Sequence, residues 1–229
     1  MQILIGMVAV FIGYLLGSIP FGLLIVKSKT GKDIRQVESG RTGGTNAMRA
    51  AGIGAGLATA ILDILKGAAA AWLAQVLSPG DHIIHILAPF GAIMGHNYSI
   101  FLLSHDENNK LRFHGGAGAM PALGGAAGLW PWSFPVVLAM GALAFFTTGI
   151  ASIGTLTIGL SIIIVFAFGA SNGFLPWVDV LYGVIAEFLL IWALRPNIKK
   201  LIAGNERVVK YSLNGWLRER KSRAQMMKQ

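Results

Sequence analysis

The chain has 229 residues, of which 54% are hydrophobic, 13% charged and none cysteine. Soluble domains carry about 25% charged residues, so this composition, with a mean hydropathy of +0.63, excludes a soluble globule and describes a polytopic membrane protein. The absence of cysteine excludes disulfides, thiolate metal sites and a cysteine nucleophile, and leaves the redox compartment open. The formal charge of +9 suggests nucleic acid at first sight, but its distribution argues otherwise. Of the 19 Lys and Arg, six lie in 27–49, two in 104–114 and ten in 195–229, with Lys66 alone inside an apolar run. Segments 1–26, 78–82 and 170–179 hold none. Basic residues concentrate on the cytoplasmic side of membrane proteins. The three blocks are therefore expected in the cytoplasm, facing anionic lipid rather than nucleic acid, with the N-terminus outside.

In chain order, residues 3–26 are long enough to cross roughly 30 Å of hydrocarbon. They have no basic start and no small-residue cleavage pattern, so they read as a retained helix and not a signal peptide. A second span is expected over 51–77, closed by the turn Ser78-Pro79-Gly80-Asp81, and a third over 83–103, followed by a polar run from Ser104 to Lys110. Parity requires an odd number of crossings before the outward turn near Ser171-Asn172-Gly173. Candidates are 117–131, 134–150 and 152–170, with Trp130-Pro131-Trp132 at an interface. A last span covers 176–194, and 195–229 form a basic cytoplasmic tail. The expectation is an all-α integral membrane protein of about seven transmembrane helices, some short or re-entrant, forming one domain over 1–229. Five spans would keep the same sidedness.

The polar residues that could do chemistry gather in the cytoplasmic loops. The first runs from Asp33 to Arg49, and Gly40, Gly43 and Gly44 allow successive N–H groups to converge on an anion. Ser39, Thr45 and Asn46 add neutral hydrogen-bonding groups, and Arg35, Arg41 and Arg49 add charge. Thr45 or Asn46 is a candidate cap for the following helix, whose N-terminus favours phosphate. No Gly-Lys-Ser/Thr follows, so this is not a Walker A loop, and a plain positive-inside loop is the competing reading. The second loop ends in His114-Gly115-Gly116-Ala117-Gly118, which serves either a ligand or close helix packing.

Asp63 and Lys66, three residues apart in the second span, share a helix face and can pair. Such buried charges serve either substrate or a structural lock, and Glu187 in the last span is another possible partner for Lys66. Among the histidines, His96 approaches the cytoplasmic face while His82 and His85 belong to the outer side. They lack further ligands for zinc, so no metal and no cofactor is expected. The last block supplies Asn197, Lys199 and Glu206. Further on, Trp216-Leu217-Arg218-Glu219-Arg220-Lys221 reads as an interfacial basic helix.

These loops together resemble the bacterial acyl-phosphate:glycerol-3-phosphate acyltransferases, the PlsY family. That family's first motif is close to Asp-x-Arg-x-x-Gly-Ser-Gly-Asn-x-Gly-Ala-Thr-Asn-x-x-Arg, and Asp33, Arg35, Ser39, Gly40, Gly43, Thr45, Asn46 and Arg49 match it in register. Gly17-Ser18-Ile19-Pro20-Phe21-Gly22, Leu62 to Gly67 and Gly95 to Phe101 are similar to its first three spans. Asn197, Ile198, Leu201, Gly204 and Glu206 are similar to its third motif. The departures are local. Glu38 replaces a glycine, and Arg41 replaces an asparagine. His114 and Ala117 replace the two lysines of Phe-Lys-Gly-Gly-Lys-Gly, and Leu194 replaces a histidine. The resemblance implies acyl transfer from acyl phosphate to glycerol 3-phosphate in phospholipid synthesis, in the bacterial cytoplasmic membrane, with the site facing the cytoplasm. In that reading Ser39, Arg49 and His114 are catalytic. Substrate is bound by Arg35, Gly40, Arg41, Gly43, Gly44, Thr45, Asn46, Asp63, Lys66, His96, Gly115, Gly116, Gly118, Asn197, Lys199 and Glu206. Arg41 is expected to supply the charge lost at Ala117. A silent or acceptor-altered paralogue and an anionic-lipid transporter are the alternatives. No internal repeat of the transporter kind is visible.

Overall fold

The computed structural model describes residues 2–105 and 107–226. Ten helices and one hairpin follow one another among these residues: α1 (Gln2–Ser18), α2 (Phe21–Thr30), α3 (Gly44–Ala51), α4 (Ile53–Leu77), α5 (His82–Asn97), β1 (Ser99–His105), β2 (Leu111–His114), α6 (Ala119–Leu129), α7 (Ser133–Thr148), α8 (Ala151–Ser171), α9 (Val180–Ile202) and α10 (Leu213–Met226). Four stretches are long and apolar enough to cross a membrane: Gln2–Thr30, Ile53–Leu77, Ala151–Ser171 and Trp177–Ile202. The helices α6 and α7 are apolar but shorter; at 1.5 Å per residue α6 extends only about 16 Å, roughly half the hydrocarbon thickness.

The first span is not one helix. Pro20 cannot continue the ladder, and the chain breaks between Ser18 and Phe21 before α2 resumes. The third span is also shorter than its apolar run. Helix α5 stops at Asn97, and residues 99–105 pair antiparallel with 111–114, Ser99 opposite His114 and His105 opposite Leu111. The helical architecture is as expected, and this short hairpin is an addition to it that the apolar pattern does not announce. A continuous apolar stretch does not separate helix from strand, and here the backbone beyond Asn97 is claimed by β2.

Small residues bring α1 and α5 together. Gly13 and Gly17 face the backbone of Ala88 and Ala92, while Gly91 and Gly95 face that of Val10 and Tyr14. This is the small-xxx-small contact that lets helices approach closely in lipid, where burial of apolar side chains supplies little drive. The main core lies between α5, α6, α8 and α9 around Leu123, Ile162, Phe166 and Tyr182. Tyr182 Oη donates to Ala122 O at 2.8 Å, so its buried hydroxyl is satisfied. Phe11, Ile61, Leu143, Ile164, Phe168 and Phe188 are exposed on the outside of the bundle, the inverse of a water-facing surface.

Contacts between turns define two ends. At one, His82 Nδ1 meets Asp179 Oδ1 at 2.9 Å and Trp130 stacks on Phe174, joining the α4–α5, α6–α7 and α8–α9 turns. At the other, Thr42 N–H donates to Gly115 O and Asn214 Nδ2 to Thr148 O. That end gathers the first loop, the hairpin, the α7–α8 turn and the tail.

Candidate functional site

The site is built where the first loop meets the end of β2 and the last helix. A cleft of about 240 Å³ opens there, lined by Ser39, Gly40, Arg41, Asn97, Tyr98, Phe113, His114, Gly115, Gly116 and Ala193. A larger groove of about 360 Å³ at the opposite end, among Gln2 and residues 79–83, holds none of the loop chemistry.

The first loop is shaped by its own polar groups. Asp33 accepts from the backbone N–H of Arg35 at 2.9 Å and pairs with its guanidinium at 2.7 Å, closing a 3-10 turn over Ile34–Gln36. The Arg35 guanidinium holds the Asp33 carboxyl below the usual carboxylate range. Arg35 is thus committed to this turn and is not among the lining residues of the cleft. Asn46 is buried, and its Nδ2 donates to the carbonyls of Ile34, Val37 and Arg41 at 3.2, 2.9 and 2.9 Å. It staples the loop from below through this amide nitrogen. The expected cap is also displaced. Gly43 is the N-cap of α3, so Thr45 and Asn46 lie within its first turn. Gly44 packs against α4 at Gly56 and Ala60. Glu38, where the family motif has glycine, adopts a left-handed φ of 49°. Its carboxylate pairs with Arg207 of the tail.

Arg41 joins the three loops. Its Nη1 donates to Gly116 O at 3.3 Å, and Nη2 donates to Ala193 O at 2.7 Å and Asn197 Oδ1 at 3.1 Å. Asn197 in turn donates through Nδ2 to Glu206 Oε1 at 2.8 Å. Burial pushes the guanidinium down from its ordinary pKa, and the Glu206 carboxylate opposes that shift. Arginine stays charged through any such change, so a cation stands in the cleft. Ala117 and Leu194 directly follow the two residues whose carbonyls it contacts, Gly116 and Ala193. One guanidinium on the first loop therefore sits beside both positions where the motif's lysine and histidine are replaced.

Glycines of the second loop are required by close approach. A Cβ on Gly116 would overlap the His96 ring, and one on Gly118, at φ 91°, would lie 2.8 Å from Asn97 Oδ1. Gly116 N–H donates to His96 O at 2.9 Å, tying the loop to the end of α5. His114 Nε2 pairs with Ser104 Oγ at 2.9 Å across the hairpin, which holds the ring in the cleft wall.

Below this lies the buried charge cluster. Lys66 Nζ is 2.7 Å from Asp63 Oδ1 and 2.9 Å from His96 Nδ1, and it donates to Ile19 O at 3.1 Å. The expected Asp63–Lys66 pair is present. Its third partner is the carbonyl beside the α1–α2 break, so the ammonium locks three helices. Glu187 does not share it and instead faces Gly159 on α8.

The structure brings Ser39, Gly40, Arg41, His114, Gly115 and Gly116 into one cleft, with Asn197 and Glu206 behind Arg41. Arg49, on α3, lies near Tyr211 of the tail, where its charge counteracts the effect of burial on the phenol. Lys199 is exposed on α9. Neither Arg49 nor Lys199 lines the cleft, and nor do Arg35, Gly43, Gly44 and Thr45. Asn97 was not among the expected site residues. It is 5% exposed, lines the cleft, and neither its Oδ1 nor its Nδ2 has a hydrogen-bond partner. Its place beside His96 in Gly95-His96-Asn97-Tyr98 was the available signal.

Three comparisons bear on the family and the fold. The family model described as glycerol-3-phosphate acyltransferase matches residues 7–204. A glycerol-3-phosphate acyltransferase of Rubrobacter xylanophilus is 38% identical over 200 residues, covering 86% of this chain and 92% of the relative. One from Thermus thermophilus is 34% identical, covering 86% and 91%. Among solved structures, the integral membrane glycerol 3-phosphate acyltransferase PlsY (YgiH) in its glycerol 3-phosphate form superposes with a TM-score of 0.76 at 29% identity, covering 89% of this chain and 95% of that one. Its lysophosphatidic acid form gives 0.75 at 27% identity, covering 90% and 96%. With fold, loops and nearly full-length relatives in accord, the chain belongs to the glycerol-3-phosphate acyltransferase family.

Proposed function

We propose that this chain moves a fatty acyl group from acyl phosphate to the 1-hydroxyl of glycerol 3-phosphate, at the cleft between the first loop, β2 and α9. The observation that carries the assignment is Arg41, a cation held between the glycine loop and the Asn197–Glu206 pair. Both substrates are phosphorylated, and the positive charge of the guanidinium strengthens any hydrogen bond it donates to a phosphate oxygen. The solved relatives were captured with glycerol 3-phosphate and with lysophosphatidic acid, the acceptor and product this reaction requires.

In the reaction the hydroxyl oxygen of glycerol 3-phosphate forms a bond to the acyl carbonyl carbon, and the carbon–oxygen bond to phosphate breaks. Inorganic phosphate and lysophosphatidic acid leave, with the hydroxyl proton released. A mixed anhydride is already activated, so positioning and charge stabilisation are the main tasks. Arg41, Ser39 and the N–H groups of the loop glycines hold phosphate. The two free polar atoms of Asn97 meet substrate from the α5 side. His114 serves as a weak base or a cation in the cleft wall. The acyl chain lies along the apolar outside of the bundle. The site faces the cytoplasm of a bacterial cell, in a chain that crosses the cytoplasmic membrane seven times with its N-terminus outside.

Purified protein in detergent, given palmitoyl phosphate and glycerol 3-phosphate, is expected to release phosphate and lysophosphatidate in equal amounts. Ser39→Ala, at an exposed position where folding is not at stake, is expected to lower the rate. Binding of palmitoyl phosphate without phosphate release on any polyol phosphate would replace this assignment with a silent binding protein.

A further inference from the structure

We propose that the segment 205–226 docks on the anionic headgroups of the bilayer and, through contacts with the first loop, makes turnover depend on membrane charge; the second half rests on the acyltransferase assignment above. The family match ends at residue 204, so this segment lies beyond the matched region.

Helix α10 is built as an interfacial helix. Ser212 caps it, its Oγ accepting from Gly215 N–H at 3.0 Å. The side turned to the bundle is small and polar: Gly215 packs against Val209 O, and Asn214 Nδ2 donates to Thr148 O at 2.9 Å. The opposite side carries Leu213, Trp216 and Leu217, which are 56%, 49% and 44% exposed. At helical spacing these three form one stripe with Arg220, and Lys221 and Arg223 lie on its flanks. Arg220 lies over the Trp216 ring at 4.6 Å. A water-facing helix has the reverse arrangement. An apolar stripe with Trp, bordered by cations, fits the headgroup–acyl boundary of an anionic bilayer. Arg218, Arg220, Lys221 and Arg223 against Glu219 supply the charge complement.

The link to the site is the strap that precedes α10. Arg207 pairs with Glu38, one residue from Ser39. Val209 N–H donates to Gly149 O at 2.8 Å. Tyr211 packs its ring on Phe145 and points its hydroxyl at Met48 Sδ on α3. Docking α10 therefore fixes the strap that holds the first loop.

The test uses the full chain in nanodiscs of phosphatidylcholine or of phosphatidylglycerol-rich lipid, with chymotryptic cleavage after Tyr211 and Trp216 followed by mass spectrometry. Each Lys or Arg near an anionic surface adds substantial attraction, so cleavage is expected to be roughly tenfold slower in the anionic discs, and high salt should remove the difference. The variant Arg218→Gln/Arg220→Gln/Lys221→Gln/Arg223→Gln is expected to be cut at the same rate in both lipids. Wild-type turnover should rise severalfold in anionic discs, that of the variant should not, and the two should agree in phosphatidylcholine. Equal cleavage of the wild type in the two lipids overturns the docking surface. Protection with turnover indifferent to lipid overturns the coupling. A protein inactive in every lipid sinks the acyltransferase assignment, while the cleavage rates still decide the docking.

Discussion

Arg41 stands where the family's motif has asparagine, yet it reaches the second loop and α9, which asparagine could not. Its three acceptors, Gly116 O, Ala193 O and Asn197 Oδ1, hold the guanidinium plane in one orientation. Losing a charge-assisted bond to substrate costs about 1.5–3 kcal/mol, so Arg41→Ala should lower kcat/KM for glycerol 3-phosphate by about tenfold to a hundredfold. Arg41→Lys keeps the charge but not the fork, and should fall between wild type and Arg41→Ala. Initial rates over a range of acceptor concentrations check both, and unchanged values for Arg41→Ala would remove it from the site. The charge at Arg41 and the loss at Ala117 were legible in the sequence, because both sit in motifs of fixed spacing. The roles of Asn46 and Asn97 were not. Both are buried asparagines, one with three carbonyls to satisfy and the other with none within reach. That difference belongs to the surroundings and not to residue type.

At the scale of elements, the spans were readable from apolar runs, and the places where they failed have physical causes. The break in the first span follows from Pro20, whose geometry was visible, but its sealing by Lys66 requires α4 to pass at that height. The hairpin was hidden because Ser99–Phe101 continues the apolarity of α5, while its pairing with Leu111–His114 is a contact across a polar turn. The Asp63–Lys66 spacing correctly gave the ion pair, and the fold adds His96 and Ile19 O around the same ammonium. Removing one partner of a buried pair leaves an uncompensated charge, at a cost of about 3–5 kcal/mol. Asp63→Asn should therefore lower the apparent melting temperature sharply in detergent at a fixed scan rate. Replacing both charges by apolar residues of similar volume is far better tolerated than breaking the pair, so Asp63→Leu/Lys66→Met should melt above Asp63→Asn. If the double variant melts below the single one, the cluster does more than lock helices.

At the scale of the molecule, the two ends differ in charge and in contacts. The end with the cleft gathers Lys32, Lys200 and the tail, and is marked by Arg195 over the Trp192 ring at 3.4 Å. The other has Pro79 and Asn172 in turns without Lys or Arg, with Trp132 and Trp177 exposed nearby. Cationic segments resist translocation while Trp favours both interfaces, which supports the proposed cytoplasmic placement of the cleft end. The chain contains no cysteine, which makes single-cysteine labelling direct. In intact spheroplasts an impermeant maleimide should label Pro79→Cys and Asn172→Cys, and should reach Lys32→Cys and Lys200→Cys only after permeabilisation. These four positions are exposed, so each substitution presents its thiol to solvent without disturbing the core. Labelling of Lys32→Cys and Lys200→Cys alone from outside would invert the proposed orientation. A split between Pro79→Cys and Asn172→Cys would overturn the crossing number instead, because α5, α6, α7 and α8 separate those two turns and only an even number of passes returns the chain to the same side. Parity makes the short helix α6 the critical element, since a helix about half the thickness of the hydrocarbon must either cross with its flanking turns or fold back.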